Sequence, residues 1–196
     1  MKEQLIQIIK AAGEILKEGF YGEKETTFKG KKDLVTQYDL AVEIYLKEQF
    51  RQHFNRFTII AEESDNHNVK FGDSIIIDPI DGTTNFVNGI VHCAISVGVY
   101  RSGEPFIGVV YNPILNQLYY AEVGQGAYLN GQKITVNGDE ELMTALMTTG
   151  FPYSSATDSD DLAFVIKTLE RILPQCQDVR RLGFCDYDIP SNSGYQ

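Results

Sequence analysis

The chain has 196 residues, 43% apolar and 22% charged, the profile of a folded protein with one large or two small domains. Seventeen Lys and Arg stand against 27 Asp and Glu, a net charge of −10 that argues against nucleic acid or anionic membrane as the main partner. No run approaches the roughly 18 apolar residues of a membrane span, and no leader-like apolar run follows Met1. Cys93, Cys176 and Cys185 contain no Cys-x-x-Cys pair, so neither disulfides nor structural zinc are expected, and the chain reads as cytoplasmic.

Leu5, Ile9, Ala12, Leu16 and Phe20 recur at helical spacing and predict an amphipathic first helix, ended by Gly19 and Gly22. A Lys-rich loop at 29–32 leads into Asp33-Leu34-Val35-Thr36. There a second helix is expected, with Thr36 and Asp39 in capping-box spacing and Leu40, Ile44, Phe50 and Phe54 on its buried side. On spacing alone Asp39 is a helix-start carboxylate. Residues 57–61 read as a strand closed by Glu62-Glu63-Ser64-Asp65, and 74–77 as a short buried strand. Further strands are expected at 93–100, 105–111, 118–122, 127–129 and 133–136, with turns at Ser102-Gly103 and Asn130-Gly131. Connections that short require antiparallel pairing, and two helices followed by a meander predict an α+β layered fold. Beyond Gly138 the pattern gives a strand at 142–149, a helix at 160–173 closed by Pro174, and a strand at 179–185. Residues 190–196 carry no pattern. The expected division is an N-terminal α+β domain at 1–138 and a partial C-terminal α/β domain at 139–196.

The segment that carries chemistry is Asp78-Pro79-Ile80-Asp81-Gly82-Thr83-Thr84-Asn85-Phe86, behind the apolar Ile75-Ile76-Ile77. A buried strand delivers two carboxylates into a turn that Pro79 stiffens by fixing φ and removing an N–H. Gly82 leaves the backbone bare, so its N–H and that of Thr83 can approach an anion; a short helix through Val87 adds its amide end. Carboxylates beside an anion nest make sense where cations lie between them, which describes a magnesium-assisted phosphate site. Adjacent strands would bring Glu62-Glu63 beside Asp78. The bland alternative is a solvated Asp-Pro turn followed by an Asp-Gly turn; the apolar strand before it and Gly-Thr-Thr after it favour chemistry. An EF-hand needs acids at alternate positions and a P-loop needs Gly-Lys-Ser/Thr, and neither fits. In the Asp-x-Asp-Gly-Thr of haloacid-dehalogenase-type phosphatases the spacing is one shorter, and one added residue on a strand moves a side chain to the opposite face, so that nucleophile geometry is not expected here.

On these residues the chain resembles the inositol monophosphatase family of magnesium-dependent, lithium-sensitive phosphatases. Asp78 to Phe86 match the family's Asp-Pro-Ile/Leu-Asp-Gly-Thr-x-Asn-Phe, Glu62-Glu63 its Glu-Glu pair, and Asp33 to Asp39 its Asp-Leu-Val-Thr-x-x-Asp. Gly150-Phe151-Pro152 match its Gly-Phe-Pro, and Arg180 to Gly183 its Arg-Arg-x-Gly. Thr84-Asn85-Phe86 resembles the monophosphatase branch rather than the bisphosphate-nucleotidase branch.

The resemblance implies a layered sandwich, mainly antiparallel sheet flanked by helices, and a homodimer. It implies hydrolysis of a phosphate monoester of inositol or a similar polyol with Mg2+ and without a phosphoenzyme. Glu62, Asp78 and the carbonyl of Ile80 would hold the first magnesium, and Asp78 and Asp81 would share the second. Thr83, with Glu62, would orient and help deprotonate the attacking water, and Asp39 would support Thr83. The amides of Gly82 and Thr83 would hold the phosphate, and Asp81 would also contact the substrate alcohol.

The family's Trp-Asp-x-Ala-Ala-Gly segment, which supplies a further metal-binding Asp, has no counterpart in this tryptophan-free chain. Asp188 matches a structural Asp instead. This implies a second metal one ligand short and activity below that of the intact family site. Two other readings stand beside the first: a sugar or nucleotide bisphosphatase using the same residues, or a weakly active or non-catalytic binding protein. His53, His67, His92, Phe106, Tyr119 and Tyr120 read as structural, and Cys93 as a small buried hydrophobe.

Overall fold

Helix α1 (Lys2–Tyr21) buries the stripe its spacing announces: Leu5, Ile9, Ala12 and Leu16 are wholly inaccessible, and Phe20 packs partly buried at the edge of the core. The computed structural model describes residues 1–28, 34–63, 72–136 and 141–182. The Lys-rich loop at 29–32, Asp33, Ser64, Asp65, His67, Gly138, Gly183, Cys185, Asp188 and the 190–196 segment therefore lie outside the described residues. Two compact units are present, Met1–Asn137 and Gly138–Gln196.

In the first unit α1 is capped at Gly22, not Gly19. Gly19 lies inside the helix because α2 (Gln37–His53) crosses there: a Cβ on Gly19 would stand 2.4 Å from the Tyr38 ring. Between the helices, β1 (Thr26–Phe28) pairs antiparallel with β2 (Leu34–Thr36), so Leu34-Val35-Thr36 is extended and the helix begins only at Gln37. Thr36 caps it as its spacing requires: its hydroxyl accepts from the amides of Tyr38 and Asp39, while Asp39 reaches back to the Thr36 amide.

The buried face of α2 differs from the expected one. Leu40 and Ile44 are 47% and 58% exposed, whereas Asp39, Val42, Glu43, Leu46 and Phe50 face inward, with Phe54 partly buried. Two competing stripes run along this helix, and the burial of Asp39 settles the phase. Once Asp39 is turned inward, positions three, four, seven and eleven residues on must follow it.

The sheet has seven strands in the order β3-β4-β5-β6-β7-β8-β9: β3 (Thr58–Ala61), β4 (Ser74–Asp81), β5 (Ala94–Arg101), β6 (Glu104–Asn112), β7 (Gln117–Glu122), β8 (Gly126–Leu129) and β9 (Gln132–Ile134). All pairs are antiparallel except β3–β4, which is parallel. Ser102 and Gly103 have φ of 52° and 84°, and Asn130 and Gly131 have 50° and 83°. Positive φ at both central residues is the twist a two-residue hairpin demands.

Alternation then sets the core. Ile75 and Ile77 on β4 face Val99 and Val97 on β5, which face Ile107 and Val109 on β6; all are buried together with the α1 and α2 residues. The fold is thus α+β, a mixed sheet flanked by helices, as expected. The strand at 74–77 is longer than its apolar run suggests and continues through Asp81.

In the second unit, β10 (Leu146–Thr149) pairs in parallel with β11 (Asp178–Arg181), and α4 (Ser159–Ile172) connects them. The stretch expected as one strand at 142–149 is split, with a 3-10 turn at Leu142–Thr144. Pro174 lies within a second such turn, Leu173–Gln175, directly after α4. The side chain of Asp158 accepts from the amides of Asp160 and Asp161 and starts the helix.

Close helix contact makes a test of this packing. Gly19→Ala should destabilise the protein by about 1–3 kcal/mol, although Ala is the better helix former by ~1 kcal/mol. The added methyl has no room beside Tyr38. Gly108→Ala, where a Cβ meets nothing within 4 Å, should change stability by less than about 0.5 kcal/mol. Urea titrations of both variants check this, and a stabilised Gly19→Ala would refute the close crossing.

Candidate active site

Parallel pairing of β3 and β4 brings two carboxyl-terminal strand ends together. Ala61 stands opposite Ile77, and the Glu62 amide donates to the Ile77 carbonyl at 3.1 Å, which carries Glu62 alongside Asp78. Sequence alone could suggest this adjacency but not its register.

Beyond Asp78 the β4–β5 ladder slips. Asp78 pairs with Ser96 and Asp81 with Ala94, so three steps on β4 match two on β5. A bulge of this kind inserts one unpaired residue, and Pro79, which has no amide to donate, falls inside it. On a regular strand Asp78 and Asp81 would face opposite sides; the extra residue restores them to the same side. The turn expected between the two carboxylates is therefore a bulged strand, and the chain turns only at Gly82.

Gly82 has φ of 86°, and a Cβ there would lie 2.9 Å from the His92 carbonyl. Both constraints favour glycine. Its residue opens α3 (Thr83–Val87), the short helix expected after the cluster. The segment behind it is stitched down: Asn85 Nδ2 donates to the His92 carbonyl at 2.7 Å, and Asn112 Nδ2 to the Val91 carbonyl at 2.8 Å.

Helix α2 supplies the other wall. Asp39 is fully buried; its Oδ2 accepts from the Thr36 amide at 2.8 Å and the Thr36 hydroxyl at 2.5 Å, and its Oδ1 accepts from the Thr83 hydroxyl at 3.0 Å. The helix-start carboxylate is thus also a bridge to the Asp-Gly-Thr turn. The Thr83 hydroxyl has a second acceptor at 3.0 Å, the carbonyl of Ile80. Burial pushes the Asp39 carboxyl above the usual range, opposed by the donors on Thr36 and Thr83.

Glu62, Asp81 and Asp39 lie within electrostatic reach of Asp78. Burial holds the Asp78 carboxyl well above the ordinary carboxylate range, reinforced by the charges of Glu62, Asp81 and Asp39 and by a hydrogen bond with Glu62. Asp78 Oδ1 is buried with no hydrogen-bond partner. A buried carboxylate oxygen without a donor, among three further carboxylates, fits the oxygen-rich surroundings of a hard divalent cation. Among the described residues no three Asp, Glu, His or Cys side chains are arranged to hold a metal ion by themselves.

The remaining sequence candidates fall where chemistry is not expected. Cys93 is buried, and burial together with the Asp81 charge pushes its thiol up to about 12, so it is an inert part of the core. His53 is exposed at the end of α2. His92 contributes its backbone carbonyl to the Asn85 contact. Tyr120 stacks on Tyr128 and Phe106 under Arg101, both as packing.

What sequence reading passed over is Glu43. It is 3% exposed, one turn after Asp39 on the same inward face, and its Oε2 accepts from the Glu63 amide at 3.0 Å. The signal was present in the spacing: a carboxylate four residues after an inward-facing cap residue must itself face inward.

The model of the inositol monophosphatase family matches residues 1–190. Inositol monophosphatase 3 of Solanum lycopersicum is 39% identical over 190 residues, covering 94% of this chain and 69% of that protein. The Nus factor SuhB of Pasteurella multocida (strain Pm70) is 35% identical, again over 94% of this chain and 69% of the relative. Among solved structures, the IMPase of Thermotoga maritima superposes with a TM-score of 0.79 at 34% identity, over 91% of this chain and 66% of that one. A bulged strand ending in Asp78 and Asp81, a bare Gly82 and a Thr83 tied to Asp39 therefore sit in a chain that belongs to the inositol monophosphatase family of phosphatases.

Proposed function

We propose that the protein hydrolyses a phosphate monoester of inositol or a similar polyol with the help of Mg2+. The observation that carries this reading is the unpartnered buried carboxylate oxygen of Asp78, in a chain whose Asp39 also holds the Thr83 hydroxyl at 3.0 Å. Glu62, Asp78, Asp81 and the Ile80 carbonyl are the oxygen donors that would hold magnesium. When bound, the ion would offset the charge of the carboxylates and the phosphate and polarise the reacting oxygens.

The chain's own groups do the rest. Thr83 points its proton toward Asp39 or the Ile80 carbonyl, which leaves its oxygen free to accept a hydrogen from water. Glu62, open to solvent at the end of β3, takes part in removing that proton. The amides of Gly82 and Thr83 face the phosphate, with Gly82 in a left-handed conformation that exposes the backbone. Asp81 contacts the substrate alcohol. Water adds to phosphorus, the ester P–O bond breaks, and the alcohol leaves with a proton, without a phosphoenzyme.

Inorganic phosphate release from inositol 1-phosphate tests the reading, with and without Mg2+. Release that needs Mg2+, stops on chelation and is inhibited by lithium is the expected result. Release from a sugar or nucleoside bisphosphate but not from the monoester would move the assignment to a bisphosphatase. Magnesium binding without hydrolysis of any of these would leave a binding protein. No described helix is long and apolar enough to cross a membrane. Sedimentation tests the homodimer that goes with this reading.

A further inference from the structure

Two carboxylates leave the inward face of α2 one turn apart, and each ends on a different side of the candidate site. Asp39 reaches the Thr83 hydroxyl at the start of α3, and Glu43 reaches the Glu63 amide just past the end of β3. The consecutive amides of Glu62 and Glu63 are thus held from two directions, Glu62 by the Ile77 carbonyl of β4 and Glu63 by Glu43. Glu62 itself is exposed and follows the last paired residue of β3.

Burying a carboxylate is expensive, and Glu43 is nearly as buried as the apolar core. Lys47, on the next turn, lies 3.7 Å from Glu43 Oε1 and compensates part of that cost. Replacing such buried pairs by apolar side chains is often neutral or stabilising, so stability alone does not account for a charge here. A charge-assisted bond to a backbone amide does give what an apolar side chain cannot, a directional hold on the chain.

We propose that Glu43 is a positioning residue: through the Glu63 amide it holds the backbone that presents the Glu62 carboxylate beside Asp78, and cation binding at the site depends on that hold. The proposal rests on the magnesium reading given above. Groups that orient metal ligands without touching the metal are typically worth about 10–100-fold in affinity.

The test compares Glu43→Met, which keeps length but has only a weakly accepting thioether in place of the carboxylate, with Glu43→Gln, whose amide oxygen can still accept from Glu63. Mg2+ affinity is measured by calorimetric titration of the 196-residue chain, and hydrogen exchange of the Glu63 amide is followed without metal. The expected result is at least about a tenfold loss of Mg2+ affinity and faster exchange at Glu63 in Glu43→Met, with Glu43→Gln restored to within about threefold of the parent. If Glu43→Met does not fold, Glu43→Asp takes its place with the same expectation, because its shorter side chain cannot span to Glu63. A lowered melting temperature with parental Mg2+ affinity overturns the proposal and leaves the magnesium site standing. A parent chain that binds no Mg2+ overturns both.

Discussion

Asp78→Asn should abolish Mg2+ binding and, with it, phosphate release. Asp78 stands at the last regular position of β4, where the parallel β3 and the bulge bring Glu62 and Asp81 to its side. Its Oδ1 is buried without a donor, so in the protein alone nothing stabilises a charge there. Asn keeps the shape but offers one neutral oxygen and an amide group that repels a cation. Loss of a group that orients a ligand costs about 10–100-fold in metal affinity, and loss of the ligand itself should exceed that. The metal-free variant should be no less stable than the parent, because one member of a set of mutually repelling carboxylates is gone. Calorimetric titration with Mg2+ and melting curves without it separate the two effects. Parental Mg2+ affinity in the variant would remove Asp78 from the site, and a lowered metal-free melting temperature would show a structural role instead.

Thr83→Ala should lower turnover by about 10²–10⁴-fold while leaving the Michaelis constant nearly unchanged. A role as helix cap is the competing explanation for this threonine, but Gly82 occupies the cap position of α3 and Thr83 is the first helical residue. Its hydroxyl is directed to Asp39 and the Ile80 carbonyl, both at 3.0 Å, and on the proposed reading its loss removes the group that orients the attacking water. The Thr83 amide, which the same reading turns toward the phosphate, survives the substitution, so ground-state binding should survive with it. Thr83→Ser keeps the hydroxyl and should recover most of the rate. Asp81→Asn, by contrast, should weaken Mg2+ binding as well. Steady-state kinetics and melting curves on the same proteins decide the matter. A variant that melts early yet turns over normally would reduce Thr83 to packing.

How much of this was legible beforehand depends on the range of the forces involved. The stripe of α1, the Thr36–Asp39 box and the hairpins at Ser102-Gly103 and Asn130-Gly131 are encoded by backbone sterics and neighbours a few residues apart. Each appears where its residues predict. At Asp78–Thr83 the short helix after Gly82 appears where expected, but the turn expected between the two carboxylates is a bulged strand.

Three features needed the fold. The face of α2 could not be chosen between Leu40-Ile44 and Val42-Leu46 by hydrophobic spacing, because both stripes are apolar; inward commitment of Asp39 toward Thr83, 44 residues away, chose it. Parallel pairing of β3 with β4 is a long-range contact, and no turn between them dictates its register. The bulge between Asp78 and Asp81 exists only in relation to β5, whose Ser96 and Ala94 supply two partners for three steps. Alternation along an isolated strand would set those carboxylates on opposite faces. The neighbouring strand turns them to one side, because a ladder that loses one pairing regains its phase one residue later.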